Sequence, residues 1–329
     1  MTSQKTEDPR GEFAKIEEIK KILGTETFSS GVEVGIGDDA AVVEGSGRLL
    51  LCTDAFVEGT HFDFSFIEPV ELGHKALAAT LSDIAAMNGK PRYLLLSIAV
   101  TPSAPSDFLN SFYRGARALC AKHSVSIVGG DLTSSQHGVF IDVVGVGQVE
   151  KPILRSGARP GDYIAVSGTP GASAAGLYSL QKYGRAQTSN SLRHAHLLPI
   201  PRFDLIAGLQ SACTSLIDIS DGLSSEVLHV ARASKTGAHL EAKSFPIHPD
   251  ALKLAHAEKI DPTHWALSGG EDYELLATLD ASFVEKKGPP PGFTVIGRVT
   301  PPDEGVTITH QDGKRSPLVA TGFNHFASS

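Results

Sequence analysis

Residues 75–87 read Lys-Ala-Leu-Ala-Ala-Thr-Leu-Ser-Asp-Ile-Ala-Ala-Met, and Asp83 is the anomaly among them. Across 71–88, Leu72, Ala76 and Ala79 alternate with Leu77, Leu81 and Ile84 at spacings of three and four. That period predicts a single helix, which Gly89 and Pro91 stop. Its alanines let neighbours approach closely, so the helix is expected at the centre of the fold. Aspartate is a poor mid-helix residue because its side chain competes for nearby backbone groups. The bland alternative is a solvent-facing position on the helix rim.

Working outward, aspartates recur in Gly-Ile-Gly-Asp-Asp (35–39), Thr-Asp (53–54), Gly-Gly-Asp (129–131) and Asp-Ile-Ser-Asp-Gly (218–222). Each follows or interrupts an apolar or small-residue run. A buried carboxylate is costly unless something positive compensates it, and no matching set of Lys or Arg adjoins these positions in the sequence. Carboxylates with hydroxyls and glycines, without a Cys/His cluster, suit a hard cation such as Mg²⁺, which commonly brings phosphates with it. The residues alone therefore point to nucleotide-dependent phosphoryl transfer.

Asp54 and Asp131 are expected at the carboxyl ends of strands, where α/β folds place ligand-contacting groups. A plain Asx-turn is the alternative for either one. Asp218 and Asp221 flank Ser220 ahead of a predicted helix. Capping accounts for one of them, and the helix start also offers N–H groups to a phosphate. The glycines of Ser-Gly-Gly-Glu-Asp-Tyr-Glu (268–274) fit a ligand approach and an ordinary turn equally well. His61 is ambiguous between a structural and a functional role. Gly-Thr-Pro-Gly-Ala-Ser-Ala-Ala-Gly (168–176) is glycine-rich but lacks the Gly-Lys-Ser/Thr ending of a P-loop, and no Gly-x-Gly-x-x-Gly fingerprint occurs.

The 329 residues allow two domains, and 41% hydrophobic with 20% charged content is ordinary for a globular protein. The net charge of −8 argues against general nucleic-acid affinity. Cys52, Cys120 and Cys213 fit neither a zinc motif nor a closed disulfide set, so a reducing cytoplasm is expected. No secretory h-region or membrane-spanning run is present in the sequence.

Residues 1–12 read as a flexible tail and 13–23 as an amphipathic helix. Strands are expected at 40–43, 49–52, 93–100, 125–128 and 139–149, with a second helix at 106–123. Residues 151–162, with two prolines, two glycines and no periodicity, mark a boundary. After it come strands at 163–167, 216–219, 274–279 and 293–299, and helices at 172–183 and 223–234. Pro289–Pro291 reads as a surface loop. The class is α/β or α+β, with domains at 13–150 and 151–329.

Taken in order, the stretches GIGDDAAVV, TDAFVEGTHF, KALAATLSDIAAM, IVGGDLT, RSGARPGD, SGTPGASAAGL, DISDGL, SGGEDYELL and TGFNHF resemble the thiamine-monophosphate kinases. These belong to the aminoimidazole ribonucleotide synthetase-like superfamily. The motifs span about residues 10–326. The resemblance implies an aminoimidazole ribonucleotide synthetase-like two-domain fold, with N-terminal sheets joined into a barrel across a homodimer. It implies phosphorylation of thiamine monophosphate to thiamine diphosphate by ATP. Carried over by position, Asp39, Thr53, Asp54, Asp83, Asp131, Asp218 and Asp221 would hold several Mg²⁺ ions. Tyr113, Gly130, Asp131, Arg155 and Ser220 would contact ATP, and His61, Glu271 and Phe323 the thiamine substrate. Asp38 adjoins Asp39, and how the two share a role stays open. Cys52 stands where relatives often have Ser or Thr, and a thiol is a poor Mg²⁺ ligand. No protein nucleophile is implied.

Rivals within the superfamily are weaker. A selenophosphate synthetase would carry a reactive Cys or selenocysteine in a glycine-rich N-terminal segment, and the hydrogenase-maturation dehydratase would end in a cysteine. Neither feature is present in this sequence. Aminoimidazole ribonucleotide synthetase itself fits on fold alone, without motif support. A scaffold that binds metal or nucleotide without catalysis is the non-enzyme alternative.

Overall fold

The structure is a computed structural model describing residues 32–34, 38–45, 47–209 and 211–322. The expected tail, the helix at 13–23 and Phe323 lie outside the described residues.

The chain runs β1 (Val32–Val34), β2 (Ala41–Gly45), β3 (Gly47–Val57), α1 (Pro69–Ala86), β4 (Lys90–Val100), α2 (Phe108–His123), β5 (Ser126–Ser134) and β6 (Phe140–Val149). These six strands form one sheet in the order β1-β2-β3-β6-β4-β5, antiparallel except for β4 against β5. The remainder runs β7 (Tyr163–Ser167), α3 (Ala172–Tyr183), α4 (Asn190–Leu197), α5 (Phe203–Leu209), β8 (Cys213–Asp218), α6 (Leu223–Ser234) and β9 (Gly237–Glu241). It continues α7 (Pro249–Glu258), α8 (Pro262–Ser268), β10 (Leu275–Leu279), α9 (Ala281–Lys287), β11 (Phe293–Thr300), β12 (Val306–Thr309) and β13 (Arg315–Pro317). Its seven strands make a second sheet, β13-β12-β9-β11-β7-β10-β8.

Helix α1 occupies the expected place and is capped by a reciprocal box between Glu68 and Glu71. It lies on the first sheet and also touches β8 of the second. The central position follows from its small residues. A Cβ on Gly73 would come 2.0 Å from the Phe112 carbonyl oxygen, and one on Gly115 would come 1.8 Å from that of Val70. The pair of glycines therefore lets α1 and α2 touch backbone to backbone.

The first sheet is covered on one face only. Leu50, Phe56, Leu94, Leu96, Ile141 and Val143 are buried against α1, while Leu51, Tyr93 and Leu95 on the other face are exposed. That alternation is the signature of a half-covered sheet. Among the described residues the sheet is open and forms no closed barrel.

Two strands that carry aspartates continue past the ends the sequence suggests. β3 continues through Asp54 to Val57, and β5 continues through Asp131 to Ser134. Neither aspartate is at a strand end. The extension comes from pairing: Asp54 is opposite Val143 and Asp131 opposite Ser97, so ladder hydrogen bonds override the turn preference of aspartate.

Candidate functional site

Register sorts the aspartates onto two faces of the first sheet. Asp54, Val143, Leu96 and Gly130 are opposite one another on the face that α1 covers. Ala55, Asp142, Ser97 and Asp131 form the neighbouring row, which faces the other way. Thr53 shares that outer face and donates from Oγ1 to Asp142 Oδ1 at 2.7 Å. Thr53 and Asp131 are thus apart from the cluster formed by Asp39, Asp54, Asp83 and Asp218. Asp142 escaped the sequence reading because it sits in an alternating strand with no motif around it.

Three elements build the inner cluster. Asp39 precedes β2, Asp83 is in the last turn of α1, and Asp218 ends β8. One carboxylate oxygen from each lies within 4.8 Å of the other two. Asp83 is half-buried among them rather than on a solvent rim. Ser82 donates to Asp218 Oδ2 at 2.7 Å. Its role had no sequence signal, since serine beside aspartate on a helix is unremarkable alone.

Burial and crowding raise four of these carboxyls above their ordinary range. Burial pushes the Asp54 carboxyl up to about 6, with Asp142 and Asp39 adding repulsion and Thr80 opposing it. Asp38 rises to about 6 through burial and the charge of Asp39. Asp83 and Asp218 are raised well above the usual carboxylate range by burial first and by neighbouring carboxylates second. The Cys52 thiol, half-buried beside Asp83 and Asp54, is likewise pushed up and stays neutral.

Arg155 is the one guanidinium drawn into this cluster among the described residues. It comes from the 151–162 segment, pairs through Nη2 with Asp39 Oδ1, and holds Nε 3.7 Å from Asp38 Oδ1. The sequence shows no cation beside these aspartates because Arg155 is 116 residues away in the chain. One guanidinium does not neutralise five carboxyl groups. Asp39 Oδ2 and Asp54 Oδ2 are buried without a hydrogen-bond partner. Buried, unpartnered oxygens on converging carboxylates are what a small hard cation satisfies. Asp39, Asp83 and Asp218 could hold such an ion directly, with Asp54 beside them.

The Asp218–Asp221 motif is tied to the 268–274 loop. Glu271 N donates to Ser220 O at 2.7 Å, and Tyr273 N to Ile219 O at 2.9 Å. Both Glu271 and Tyr273 take positive φ, 61° and 51°. Neither is a glycine, so the loop holds a conformation that is uncommon for such side chains. Asp221 N donates to Glu226 Oε1 at 2.9 Å, so a carboxylate from inside α6 holds the residue just ahead of the N-cap, Gly222. The loop before α3 is closed in the same way. Asp272 accepts from Gly171 N at 2.7 Å and Ser173 N at 3.0 Å, occupying the amides that a phosphate would need.

The remaining expected residues are placed as follows. His61 follows β3 and accepts from Val57 N at 3.0 Å through Nδ1. Gly130 has φ 151°, and a Cβ there would meet Leu96 O at 1.9 Å. Ser220 is exposed and Asp221 half-buried. Tyr113 is exposed on α2, edge-on to Phe112. Thr321, two residues before Phe323, is bonded to Ser224 and Ser268, so the chain arrives beside the start of α6.

Residues 37–149 match the family described as AIR synthase related protein, N-terminal domain. The thiamine-monophosphate kinase of Escherichia coli is 38% identical over 310 residues, covering 90% of this chain and 93% of that one. The chain belongs to the thiamine-monophosphate kinase family. Its Bacillus subtilis member is 35% identical over 94% of this chain and 98% of its own length. A solved structure described as "AaThiL complexed with AMPPCP and TMP" is 34% identical, superposes with a TM-score of 0.85, and covers 99% of this chain and 100% of its own. The fold is accordingly the mixed α/β fold of that family, and among the described residues no helix is long and apolar enough to cross a membrane.

Proposed function

We propose that this chain transfers the γ-phosphoryl group of ATP to thiamine monophosphate, giving thiamine diphosphate and ADP. The observation that carries the reading is the convergence of Asp39, Asp83 and Asp218 in a member of the thiamine-monophosphate kinase family. Mg²⁺ bound to these carboxylates would neutralise the charge that builds when two phosphate-bearing molecules meet.

Asp39, Asp54, Asp83 and Asp218 would hold it from the inner face, and Thr53, Asp131 and Asp221 from the periphery. Arg155, now committed to Asp39, would face ATP once another cation takes over that carboxylate. Gly130, Asp131, Ser220 and Tyr113 would complete the nucleotide contacts. His61, Glu271 and Phe323 would hold the thiamine substrate. The hydrogen bond from Glu271 N to Ser220 O supports this division, because it sets the acceptor side directly against the carboxylate motif.

The acceptor's own phosphate oxygen, ionised near neutral pH, attacks the γ-phosphorus in line as the bond to the β–γ bridging oxygen of ADP breaks. The chain's part is positioning and charge complementarity, with no covalent intermediate. Residues 13–150 would form the nucleotide-binding and dimerisation domain and 151–329 the second domain. The exposed apolar residues Leu51, Tyr93 and Leu95 support a homodimer in which two such sheets close a barrel.

The test is a product assay with ATP, Mg²⁺ and a panel of phosphorylated acceptors. Thiamine diphosphate and ADP are expected in equal amounts, with inversion at phosphorus from a chiral γ-thiophosphate donor. Turnover of formylglycinamidine ribonucleotide or selenide in place of thiamine monophosphate would reassign the chain. Retention of configuration would replace direct transfer with a covalent step.

A further inference from the structure

Lys75 is fully buried, in the apolar stretch of α1. A lysine is almost never wholly buried unless paired. Its Nζ donates to Glu271 Oε2 at 2.9 Å and reaches His196 Nε2 at 3.2 Å. Lysine only donates, so His196 Nε2 is the acceptor and its proton sits on Nδ1. That nitrogen is 3.1 Å from Ser173 Oγ. Burial and the nearby Lys75 keep the imidazole well below its ordinary pKa, hence neutral.

The result is a buried chain, Ser173–His196–Lys75–Glu271, drawn from α3, α4, α1 and the 268–274 loop. Its first three members are closed off from solvent. Only the last opens outward, with 25% of the Glu271 side chain exposed. Glu271 is also pinned from behind by its backbone bond to Ser220 and its positive φ. Its Oε2 is taken by Lys75, and Oε1 accepts no hydrogen bond among the described residues. A core needing only volume at position 75 would be served by methionine. An ion pair there, backed by a histidine and ending in one outward oxygen, fixes the direction of that oxygen instead.

We propose that Lys75 is a positioning residue for the acceptor substrate: with His196 behind it, it locks Glu271 so that Oε1 meets a donor on the amino-bearing heterocycle of thiamine monophosphate. This rests on the kinase reading above and adds residues to its acceptor site. ATP should not sense the lock, because the chain ends on the acceptor side of the 218–221 motif.

The test compares full-length wild-type protein with Lys75→Met, His196→Ala, Glu271→Gln and the double variant Lys75→Met/Glu271→Gln. Lys75→Met is expected to raise KM for thiamine monophosphate about tenfold and to leave KM for ATP within about twofold. His196→Ala should give a smaller rise, roughly threefold, on the same substrate only. The double variant should be no worse than Glu271→Gln alone, since both changes remove one interaction. An unchanged acceptor KM, equal rises in both KM values, or additive losses in the double variant would each overturn the proposal. Should Lys75→Met fail to fold, His196→Ala decides by the same criterion. A wild-type protein that does not phosphorylate thiamine monophosphate would overturn the kinase reading and this proposal with it. An active wild type with an indifferent Lys75→Met overturns this proposal alone.

Discussion

Ser82 on α1 donates to Asp218 at the end of β8 across 2.7 Å, and this bond joins the first sheet's helix to the second sheet. It engages Oδ2, one of the two oxygens that Asp218 brings to the cluster.

Ser82→Ala should weaken that junction. Removing one partner of a buried hydrogen bond costs about 1–3 kcal/mol. The metal-free variant should melt several degrees lower, and half-maximal activity should need more Mg²⁺. A variant with unchanged melting and an unchanged Mg²⁺ requirement would show that the bond carries neither load.

Asp54→Asn should lose activity on the order of a hundredfold or more at saturating Mg²⁺, as expected when a charged metal ligand is replaced. Metal-free stability should stay level or rise, because the amide relieves crowding with Asp39 and Asp142. Near-normal kcat, or a large drop in metal-free stability, would make Asp54 a structural residue instead.

The raised carboxyls fix the sign of a pH effect. Asp38 and Asp54 titrate near 6 when folded and near 4 when unfolded. Between those values the folded state binds more protons, so their contribution to metal-free stability falls as pH rises from about 4 to about 6. His229, lowered by burial to about 4, acts in the opposite direction over a similar range. Arg155 also lowers the histidine, so the comparison with and without metal reads the cluster together with Arg155. The melting increment given by Mg²⁺ should grow from pH 5 to pH 7. An increment independent of pH would mean that protons and metal do not compete for this cluster.

Leu95→Asp places a charge on the exposed face of the first sheet, beside Tyr93 and Leu51. Light scattering should report a dimer for the wild-type chain and a monomer for the variant. A wild-type monomer, or a variant that stays dimeric, would remove that face from the interface.

Much of this was readable in advance where local pattern and tertiary demand agree. The strand at 163–167 and the helices at 172–183 and 223–234 occur within the expected bounds. Their apolar periodicity, glycine boundaries and burial all point one way. Asp83 was legible for the opposite reason, as a residue its helix would not choose. Helices α4, α5, α7, α8 and α9 were missed because they are short and their apolar faces are narrow. Strands β12 and β13 were missed because pairing, not composition, makes them strands. Asp142, Ser82 and Lys75 gave no signal because each is defined by a partner distant in sequence. The two-faced division of the aspartates was equally hidden, since it depends on strand register.

The cluster has a consequence for how such a chain can change. Asp39, Asp54 and Asp83 belong to the half built on the first sheet, whereas Asp218 belongs to the half built on the second. Arg155, in the connecting stretch, closes onto Asp39 from between them. A chimera joined within 151–162 would inherit each half intact and still lack a working centre unless both contributors matched in spacing. The connecting segment is thus a poor crossover point for recombination, although it looks like the natural place to cut. Substitutions on either side of it are bound to be accepted or rejected in pairs.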